Sequence, residues 1–362
     1  MPAATSSARL LGLATAVPPH RLPQDDVRLA AGRILGSRFA DFERLAGSFA
    51  NSGIANRYSV VPFEWFETDK DWPERTGAYL EGAIDLFVNA AERALGNAGL
   101  AAEDVDIIVT VSSTGISTPT LEARATRRMG FREDVQRVPV FGLGCAGGVT
   151  GLSLAARLAA AAPGSKVLFV CVEACTLAFR TNRVEKADII ATILFGDGAA
   201  AAVLSTGDEG PEFGAGAEHT WPDTLRIMGW EVERDGFGVV FDRSIPDFIK
   251  ENFALAVDGM LQAMGRDREH VQRLICHPGG AKVVDAIETA LHLDQGTLDH
   301  ERDVLRDYGN MSAPTVLFVL ERLLTADPQG EMILARAGAD PAPAGTGTRP
   351  PQHPPSAGSW RP

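Results

Sequence analysis

The sequence has little cysteine and no long hydrophobic run. Its 362 residues contain four cysteines, at positions 145, 171, 175 and 276, and no pair has the spacing of zinc ligands. So few cysteines in a chain of this length do not make a disulfide framework and fit a reducing cytoplasm. The apolar stretch 10–17 ends in two prolines, which predicts a first strand and not a signal peptide. We therefore predict a cytoplasmic protein with no membrane insertion.

Basic residues are also in the minority. The chain has 34 Lys and Arg against 47 Asp and Glu, a net charge of −13. A surface of this charge repels nucleic acid and anionic membranes, so neither is an expected partner. An anionic substrate would have to bind at a local basic patch. With 45% hydrophobic and 22% charged residues, the composition is that of a globular protein of one large or two medium domains.

Two segments of the sequence, 94–111 and 260–277, align without a gap. Gly99 falls on Gly265, and a glutamate and a valine also coincide. Each segment has the pattern of a helix end, a glycine after its C-cap, a short turn and a buried strand. Many helix-to-strand connections share this pattern by chance. Because the two copies divide the chain into similar halves, we favour an internal duplication.

Near-continuous apolar strands alternate with helical stretches along the chain. Such strands are typical of sheets buried on both faces, and hence of an α/β layered fold. We predict an N-terminal half at 1–205 and a C-terminal half at 206–338. Residues 339–362 are dense in proline and are predicted to be a disordered tail. The predicted strands are 106–111, 166–172, 198–204 and 274–277.

Cys145 is the most informative residue. Residues 141–149 read FGLGCAGGV, between a predicted strand and a helix predicted over 151–162. A thiol at such a turn faces the first amides and the positive end of the helix dipole, which favour the thiolate. The glycines allow the backbone to approach a ligand closely. Cys145 is thus a candidate for acylation, with His277 and Asn310 as its candidate partners.

Cysteine, histidine and asparagine together allow two kinds of chemistry. Papain-like proteases use the same set, with the asparagine orienting the histidine, so a hydrolase is one alternative. Here Cys145 lies in the first half, whereas His277 and Asn310 lie in the second. A site between two such halves suits thioester chemistry on a long substrate arm.

Four motifs occur in order: GCA at 144–146, LFGDGAAA at 194–201, HPGG at 277–280 and GNMS at 309–312. With them the chain resembles the type III polyketide synthases, the chalcone-synthase-like group of the thiolase superfamily, from about Leu10 to Leu334. The HPGG motif favours this branch over the ketoacyl-carrier-protein synthase III branch, which shares the three residues. The resemblance implies a thiolase-like fold of two αβαβα layered halves, a homodimer, and no metal or bound organic cofactor.

The resemblance also implies roles for the three residues. Cys145 would accept an acyl group from an acyl-CoA. His277 would pair with the thiolate, and His277 and Asn310 would donate hydrogen bonds to the thioester oxygen. The same two donors would stabilise the enolate left when malonyl-CoA loses carbon dioxide.

Four further residues match positions around the family's cavity. Phe195 matches a gatekeeping aromatic, although a core phenylalanine would also fit its motif. Val239 falls near a second gatekeeper and would widen the cavity. Cys175 and Ala178 are small and leave volume for a medium or long fatty acyl starter, as in bacterial alkylpyrone and alkylresorcinol synthases. Cys175 could equally be a small buried hydrophobe.

Six residues complete the expected site. Ser113, Glu173 and Ser312 match a hydrogen-bonded network that, in some members, activates a water near the cysteine. Thr118 lies in a loop that reaches the partner's cavity in the family. Arg44 and Lys282 are the candidate contacts to coenzyme A.

The end of the chain departs from the family pattern. After the segment 332–335 the expected Gly-Pro-Gly-type loop is missing, which suggests a frame change near Arg336. Three alternatives to the synthase therefore stay open. They are a ketoacyl synthase that uses a carrier protein, a compromised thiolase-fold binding protein, and the hydrolase.

Overall fold

The computed structural model describes residues 7–36, 42–182, 185–213, 216–326 and 332–335. The predicted tail, 339–362, and the suggested frame change at Arg336 lie outside these ranges. No helix in the described ranges is long and apolar enough to cross a membrane. The half boundary predicted at 205–206 falls at the end of a strand that finishes at Thr206, and it stays a prediction.

Helices and strands alternate through most of the chain. The α-helices are α1 Gln24–Leu35, α2 Phe42–Ala50, α3 Trp72–Asn97, α4 Leu121–Met129, α5 Gly147–Ala161, α6 Lys186–Leu194, α7 Ile245–Ala263, α8 Ala281–Leu291, α9 Asp299–Tyr308 and α10 Thr315–Thr325. The strands are β1 Ala8–Ala16, β2 His20–Pro23, β3 Asn56–Ser59, β4 Ile107–Val111, β5 Gln136–Val140, β6 Val167–Ala174, β7 Asp197–Thr206, β8 Glu212–Phe213, β9 Met228–Glu233, β10 Gly236–Phe241, β11 Arg273–Cys276 and β12 Met332–Ala335.

A six-stranded mixed sheet, in the order β5-β4-β6-β7-β1-β8, forms the centre of the first half. Strands β4, β5 and β6 run parallel, and β7 is antiparallel to both β6 and β1. Successive residues of β6 belong to different cores. Leu168 and Val170 pack on the side of α3, whereas Phe169 and Cys171 pack on the side of α5 and α10. Burial on both faces confirms the predicted layers and explains the unbroken apolar strands.

The internal repeat is present in the local structure. Helix α3 is followed by Gly99 at φ +65°, a 3-10 turn and β4, and α7 is followed by Gly265 at φ +70°, a 3-10 turn and β11. The positive φ at both positions explains the glycine. In the part of the second half that the structure describes, β11 pairs in parallel with β12.

Helix α5 begins earlier than the sequence predicted. It starts at Gly147, not at 151. A Cβ atom on Gly148 would lie 2.2 Å from the carbonyl oxygen of Ala313, which precedes α10. The glycines thus belong to the helix and allow it to lie against the second half. As a result Cys145 is adjacent to the helix N-terminus.

Candidate active site

Cys145 lies in a 3-10 turn, Gly144–Ala146, that leads directly into α5. The turn is shaped by Gly142 and Gly144, whose φ values are +88° and +52°. The Gly144 amide donates a 3.0 Å hydrogen bond to Ser113 Oγ. The half-buried thiol of Cys145 accepts a 3.4 Å hydrogen bond from Ser312 Oγ. These contacts hold the sulfur at the end of the helix where the dipole favours an anion.

Asn310 is held by backbone and side-chain contacts. Its Oδ1 accepts a 2.8 Å bond from the Ser312 amide, and its Nδ2 donates a 3.0 Å bond to the Gly279 carbonyl. Its amide donates to the Leu194 carbonyl at 2.8 Å, and its carbonyl accepts from the Gly196 amide at 3.0 Å. A primary amide has two N–H donors, so the fixed side chain retains one for a substrate oxygen.

His277 directly follows β11 and is only 2% exposed. The 277–280 loop turns back on it, since the Gly279 amide donates to the His277 carbonyl at 3.0 Å. A Cβ atom on Gly279 would lie 3.6 Å from His277 Nε2. The imidazole therefore lies against the same glycine whose carbonyl binds Asn310.

The structure thus brings together the three residues that the sequence singled out. A path of contacts runs from Cys145 through Ser312 to Asn310, and then through Gly279 to His277. A helix-terminal thiol is thus connected through Ser312 and Gly279 to an amide and an imidazole from the other half of the chain. Such a set allows acylation of the sulfur and stabilisation of an oxyanion by neutral donors.

Phe195 connects the reacting residues to an apolar cavity. It forms an isolated parallel bridge with Asn310, and its carbonyl accepts a 3.2 Å bond from the buried Arg57 guanidinium. Burial lowers the pKa of Arg57 to about 9, with Asp197 opposing the shift. Arg57 also donates to Gln24 Oε1, and it therefore has a structural position behind the site.

Cys175, Ala178, Phe195 and Val239 all line one cavity of about 80 Å³, together with apolar residues of α1. The sequence selected these four positions separately, and the structure places them around the same space. Cys175 is 1% exposed and Val239 is 6% exposed. Burial raises the pKa of the Cys175 thiol, which keeps this second cysteine in its neutral form.

Trp230 was not among the residues expected from the sequence. It lies on β9 directly opposite Val239 of β10, and its ring is 5.7 Å from that of Phe195. The strand next to Val239 therefore supplies a second aromatic ring beside Phe195. The turn at Gly236 between two alternating segments could have revealed the hairpin, but the pairing register cannot be read from one strand.

Glu173 accepts hydrogen bonds from the Ser113 amide, at 3.0 and 3.1 Å, and from Thr114 Oγ1 at 2.7 Å. Ser113 uses its hydroxyl to accept from Gly144, and Ser312 uses its hydroxyl to donate to Cys145. Ser113, Glu173 and Ser312 therefore all surround the Cys145 turn. In the described part of the structure, the hydrogen bonds of Ser113 and Glu173 lead to Gly144 and Thr114, and that of the Ser312 hydroxyl leads to Cys145.

Two of the three remaining predicted residues lie at the surface. Thr118 is exposed in the loop before α4. Lys282 is exposed in the first turn of α8, two residues after Gly280. Arg44 belongs to α2, and its side chain is outside the described part of the structure.

The fold and site geometry are those of a thiolase-fold condensing enzyme. Comparison with known families is more specific. Residues 2–208 match the N-terminal domain of the chalcone and stilbene synthases, and residues 213–341 match their C-terminal domain. The chain therefore belongs to the chalcone and stilbene synthase family, the type III polyketide synthases.

Individual relatives agree with this assignment. A 1,3,6,8-tetrahydroxynaphthalene synthase of Streptomyces peucetius subsp. caesius is 37% identical over 317 residues, covering 86% of this chain and 84% of the relative. A putative chalcone synthase of Bacillus subtilis is 32% identical, with coverage of 87% and 90%. A 3,5-dihydroxyphenylacetyl-CoA synthase of Amycolatopsis balhimycina is 30% identical, with coverage of 88% and 86%.

Solved structures show the same fold. The 1,3,6,8-tetrahydroxynaphthalene synthase of Streptomyces coelicolor A3(2), a bacterial type III polyketide synthase, has a TM-score of 0.83 at 28% identity, covering 88% of this chain and 91% of that one. The germicidin synthase of Streptomyces coelicolor has a TM-score of 0.82 at 25% identity, with coverage of 91% and 95%. The chain is thus an acyl-transferring condensing enzyme that uses malonyl-CoA, in a family that needs no cofactor beyond its coenzyme A thioesters.

The buried Glu173 gives a testable dependence of stability on pH. Burial raises its pKa from 4.5 to about 8. Between these pH values the unfolded chain loses this proton while the folded protein keeps it. The free energy of unfolding should therefore fall with rising pH, by up to about 1.4 kcal/mol per pH unit from this group. Urea unfolding of Glu173→Gln should show a shallower fall between pH 5 and 8 than wild type.

An exposed substitution, Glu103→Gln, is the control for the loss of one carboxylate. Burial also raises the pKa of Asp197, to about 6, so the wild-type slope has a second source. The informative quantity is the difference between Glu173→Gln and wild type at each pH. Parallel curves would contradict the assignment.

Proposed function

We propose that this protein condenses malonyl-CoA repeatedly onto an acyl group carried by Cys145. The starter is a medium- or long-chain fatty acyl-CoA, and the product is an alkylpyrone or an alkylresorcinol. The observation that supports this proposal best is the apolar cavity behind Phe195, which adjoins the Asn310 bridge and is lined by the small residues Cys175 and Ala178.

In the loading step the Cys145 thiolate attacks the carbonyl carbon of the acyl-CoA. The new carbon–sulfur bond forms as the carbonyl electrons move to oxygen, where His277 and Asn310 donate hydrogen bonds. When the oxyanion collapses, the bond to coenzyme A breaks and its thiolate leaves, with His277 as the proton source. The acyl group then remains on Cys145 as a thioester.

In the extension step malonyl-CoA loses carbon dioxide, and the electron pair of the broken bond forms an enolate. Asn310 has one amide N–H left for the enolate oxygen, and the buried imidazole of His277 provides the second donor. Fixed donors of this kind stabilise developing charge without reorganisation. The enolate carbon attacks the acyl carbonyl and expels the Cys145 thiolate, which lengthens the chain by two carbons.

Substitution of Cys145 tests the nucleophile. Intact mass spectrometry after incubation with palmitoyl-CoA should show an acyl adduct on wild type and none on Cys145→Ala. The adduct should disappear into a small product when malonyl-CoA is added. Product formation by Cys145→Ala at the wild-type rate would refute the assignment.

Substitution of Asn310 tests the oxyanion donor. Asn310→Ala should slow malonyl-CoA decarboxylation by about 100-fold, because an oxyanion donor is lost, while the adduct still forms.

Several outcomes separate the alternatives. Free fatty acid without any need for malonyl-CoA would indicate a hydrolase, and a requirement for a malonyl carrier protein would indicate the ketoacyl synthase. No adduct from a panel of short, long and aromatic acyl-CoAs on folded protein would support a compromised binding protein.

Substitutions in the cavity walls test which starter the enzyme accepts. Ala178→Phe and Cys175→Phe each add bulk to the cavity from the 3-10 turn Cys175–Ala178, and each should shorten the acyl chains that the enzyme accepts. A mixture of acyl-CoAs of different length, analysed by mass spectrometry of the products, measures the shift. Cys171→Ala, behind the sheet in the other core, is the matched control and should leave the length profile unchanged. An unchanged length profile in both phenylalanine variants would mean that the cavity does not hold the acyl chain.

A second candidate product has a specific observation in its favour. The cavity of about 80 Å³ is smaller than the roughly 300–1,000 Å³ of typical ligand pockets, and Trp230 packs against Phe195, one of its lining residues. A small cavity favours a short starter. The 37%-identical relative is a 1,3,6,8-tetrahydroxynaphthalene synthase, and the ten ring carbons of that product correspond to five two-carbon units. Product from malonyl-CoA alone, without any acyl-CoA, would favour this candidate.

Binding of coenzyme A requires positive charge near the cavity mouth. We assign this role to Lys282 and Arg44, which are the only candidates that the sequence supplied. Lys282 is exposed beside the 277–280 loop, where its flexible cationic side chain would pair with a phosphate of the substrate.

The cysteines bear on the compartment of the enzyme. All four are free thiols, which supports a cytoplasmic enzyme.

We also propose a homodimer formed along β5. This strand ends the six-stranded sheet, and within the described ranges no strand covers its outer side. Phe141, which follows it, is 58% exposed, and Ile116 in the Thr118 loop is 52% exposed. An open sheet edge beside large exposed apolar side chains is typical of an interface. Thr118 would then lie near the partner's cavity.

Light scattering tests the assembly. Wild type should have twice the mass of the chain, and Phe141→Asp should shift the population towards monomer. Leu255→Asp, on an exposed position of α7, is the control and should stay dimeric. A monomeric wild type would contradict the proposal.

A further inference from the structure

The tip of the β9–β10 hairpin forms two ion pairs with a buried arginine of the first half of the chain. Arg180 follows the 3-10 turn Cys175–Ala178 and is 3% exposed. Its Nη1 lies 2.6 Å from Glu233 Oε2 and 2.7 Å from Asp235 Oδ1. Asn182 adds a 3.3 Å hydrogen bond to the other carboxylate oxygen of Asp235.

The surroundings of Arg180 make these two ion pairs important. A second buried guanidinium, that of Arg75, lies beside it and donates to the carbonyls of Leu177 and Phe179. Burial, and then the charge of Arg180, lower the pKa of Arg75 to about 10, and Asp235 opposes that shift. Two adjacent buried cations need counter-charges, and Arg180 has its ion pairs with Glu233 and Asp235 of the hairpin. Loss of these partners would leave an uncompensated buried charge.

The same hairpin forms one wall of the interior. Trp230 and Val239 are cross-strand partners. Val239 lines the cavity that contains Cys175, whereas Trp230 and Phe237 line a second cavity of about 30 Å³, and Ala178 lines both. The hairpin position therefore determines how closely Trp230 approaches Phe195.

The fit at the tip is close. A Cβ atom on Gly236, the first residue of β10, would lie 3.0 Å from Arg75 Cδ and 3.5 Å from Arg180 Nη2. Because Gly236, at φ +148°, has no Cβ atom, the turn packs directly against the two guanidinium groups. The tip is thus fitted to this position by shape as well as by charge.

We propose that Arg180 is a positioning residue that sets the width of the cavity beside Phe195, by holding the β9–β10 hairpin through Glu233 and Asp235. The part that concerns acyl length rests on the proposed function. The part that concerns the hairpin does not, because it is a statement about local structure.

Hydrogen exchange followed by mass spectrometry tests the hairpin directly. The double variant Glu233→Gln/Asp235→Asn removes both carboxylates and keeps shape, and Arg180→Met removes the cation. In each, amides of residues 228–241 should exchange at least about tenfold faster than in wild type, since local opening becomes easier. Arg180→Lys should restore part of the protection. Asp85→Asn, which breaks an exposed ion pair with Arg128, is the control and should change nothing in this segment.

The same variants then report on the cavity. Supplied with malonyl-CoA and mixed acyl-CoAs, they should accept longer starters or release longer products, with KM for the starter changed more than kcat. Unchanged exchange in the hairpin would overturn the proposal whatever the products are. Faster exchange with an unchanged length profile, in enzyme that remains active, would overturn the link to cavity width. If wild type forms no condensation product at all, it is the proposed function that fails, and the exchange result still stands.

Discussion

The site depends on the point where the backbones of the two halves meet. The Asn310 amide donates to Leu194, and the Gly196 amide donates back to Asn310. A Cβ atom on Gly196 would lie 2.7 Å from the Tyr308 carbonyl oxygen, and one on Gly309 would lie 2.9 Å from the Leu194 carbonyl oxygen. Glycine is required at both positions for the chains to come so close. This backbone contact fixes Asn310. Asn310 in turn binds the Ser312 amide, and the Ser312 hydroxyl donates to the Cys145 thiol.

Burial changes the pKa values of the acidic residues near the Cys145 thiol. Glu173 and Asp197 lie beneath the site with pKa values raised to about 8 and about 6. The raised pKa of Glu173 favours its neutral form and so reduces negative charge beneath the Cys145 turn. Glu173 binds the Ser113 amide, and Asp197 binds the Thr176 amide. The buried acidic groups thus support the site structurally.

Cys145 and Asn310 could be found in the sequence because each lies in a short motif with a glycine that the backbone requires. Gly144 has φ +52°, and Gly309 combines φ +70° with a close approach to the Leu194 carbonyl oxygen. Glycines at such positions form recognisable motifs in a single sequence. The layered fold was predictable for a similar reason, since strands buried on both faces have no polar alternation. The start of α5 was misplaced because Gly147 and Gly148 have poor helix propensity, which tertiary packing overrides.

Trp230 and Arg180 could not be found in this way. Their importance comes from the pairing register of β9 with β10 and from burial against distant segments, neither of which leaves a local pattern. The hairpin is also separate from the backbone contact between segments 194–196 and 308–310. On the proposed function, two tasks are carried by separate pieces of chain: bond formation by the loops that carry Cys145, His277 and Asn310, and selection of chain length by the β9–β10 hairpin. A descendant of this enzyme could acquire a new product through changes in the β9–β10 hairpin alone, while the residues that carry out the condensation stay the same.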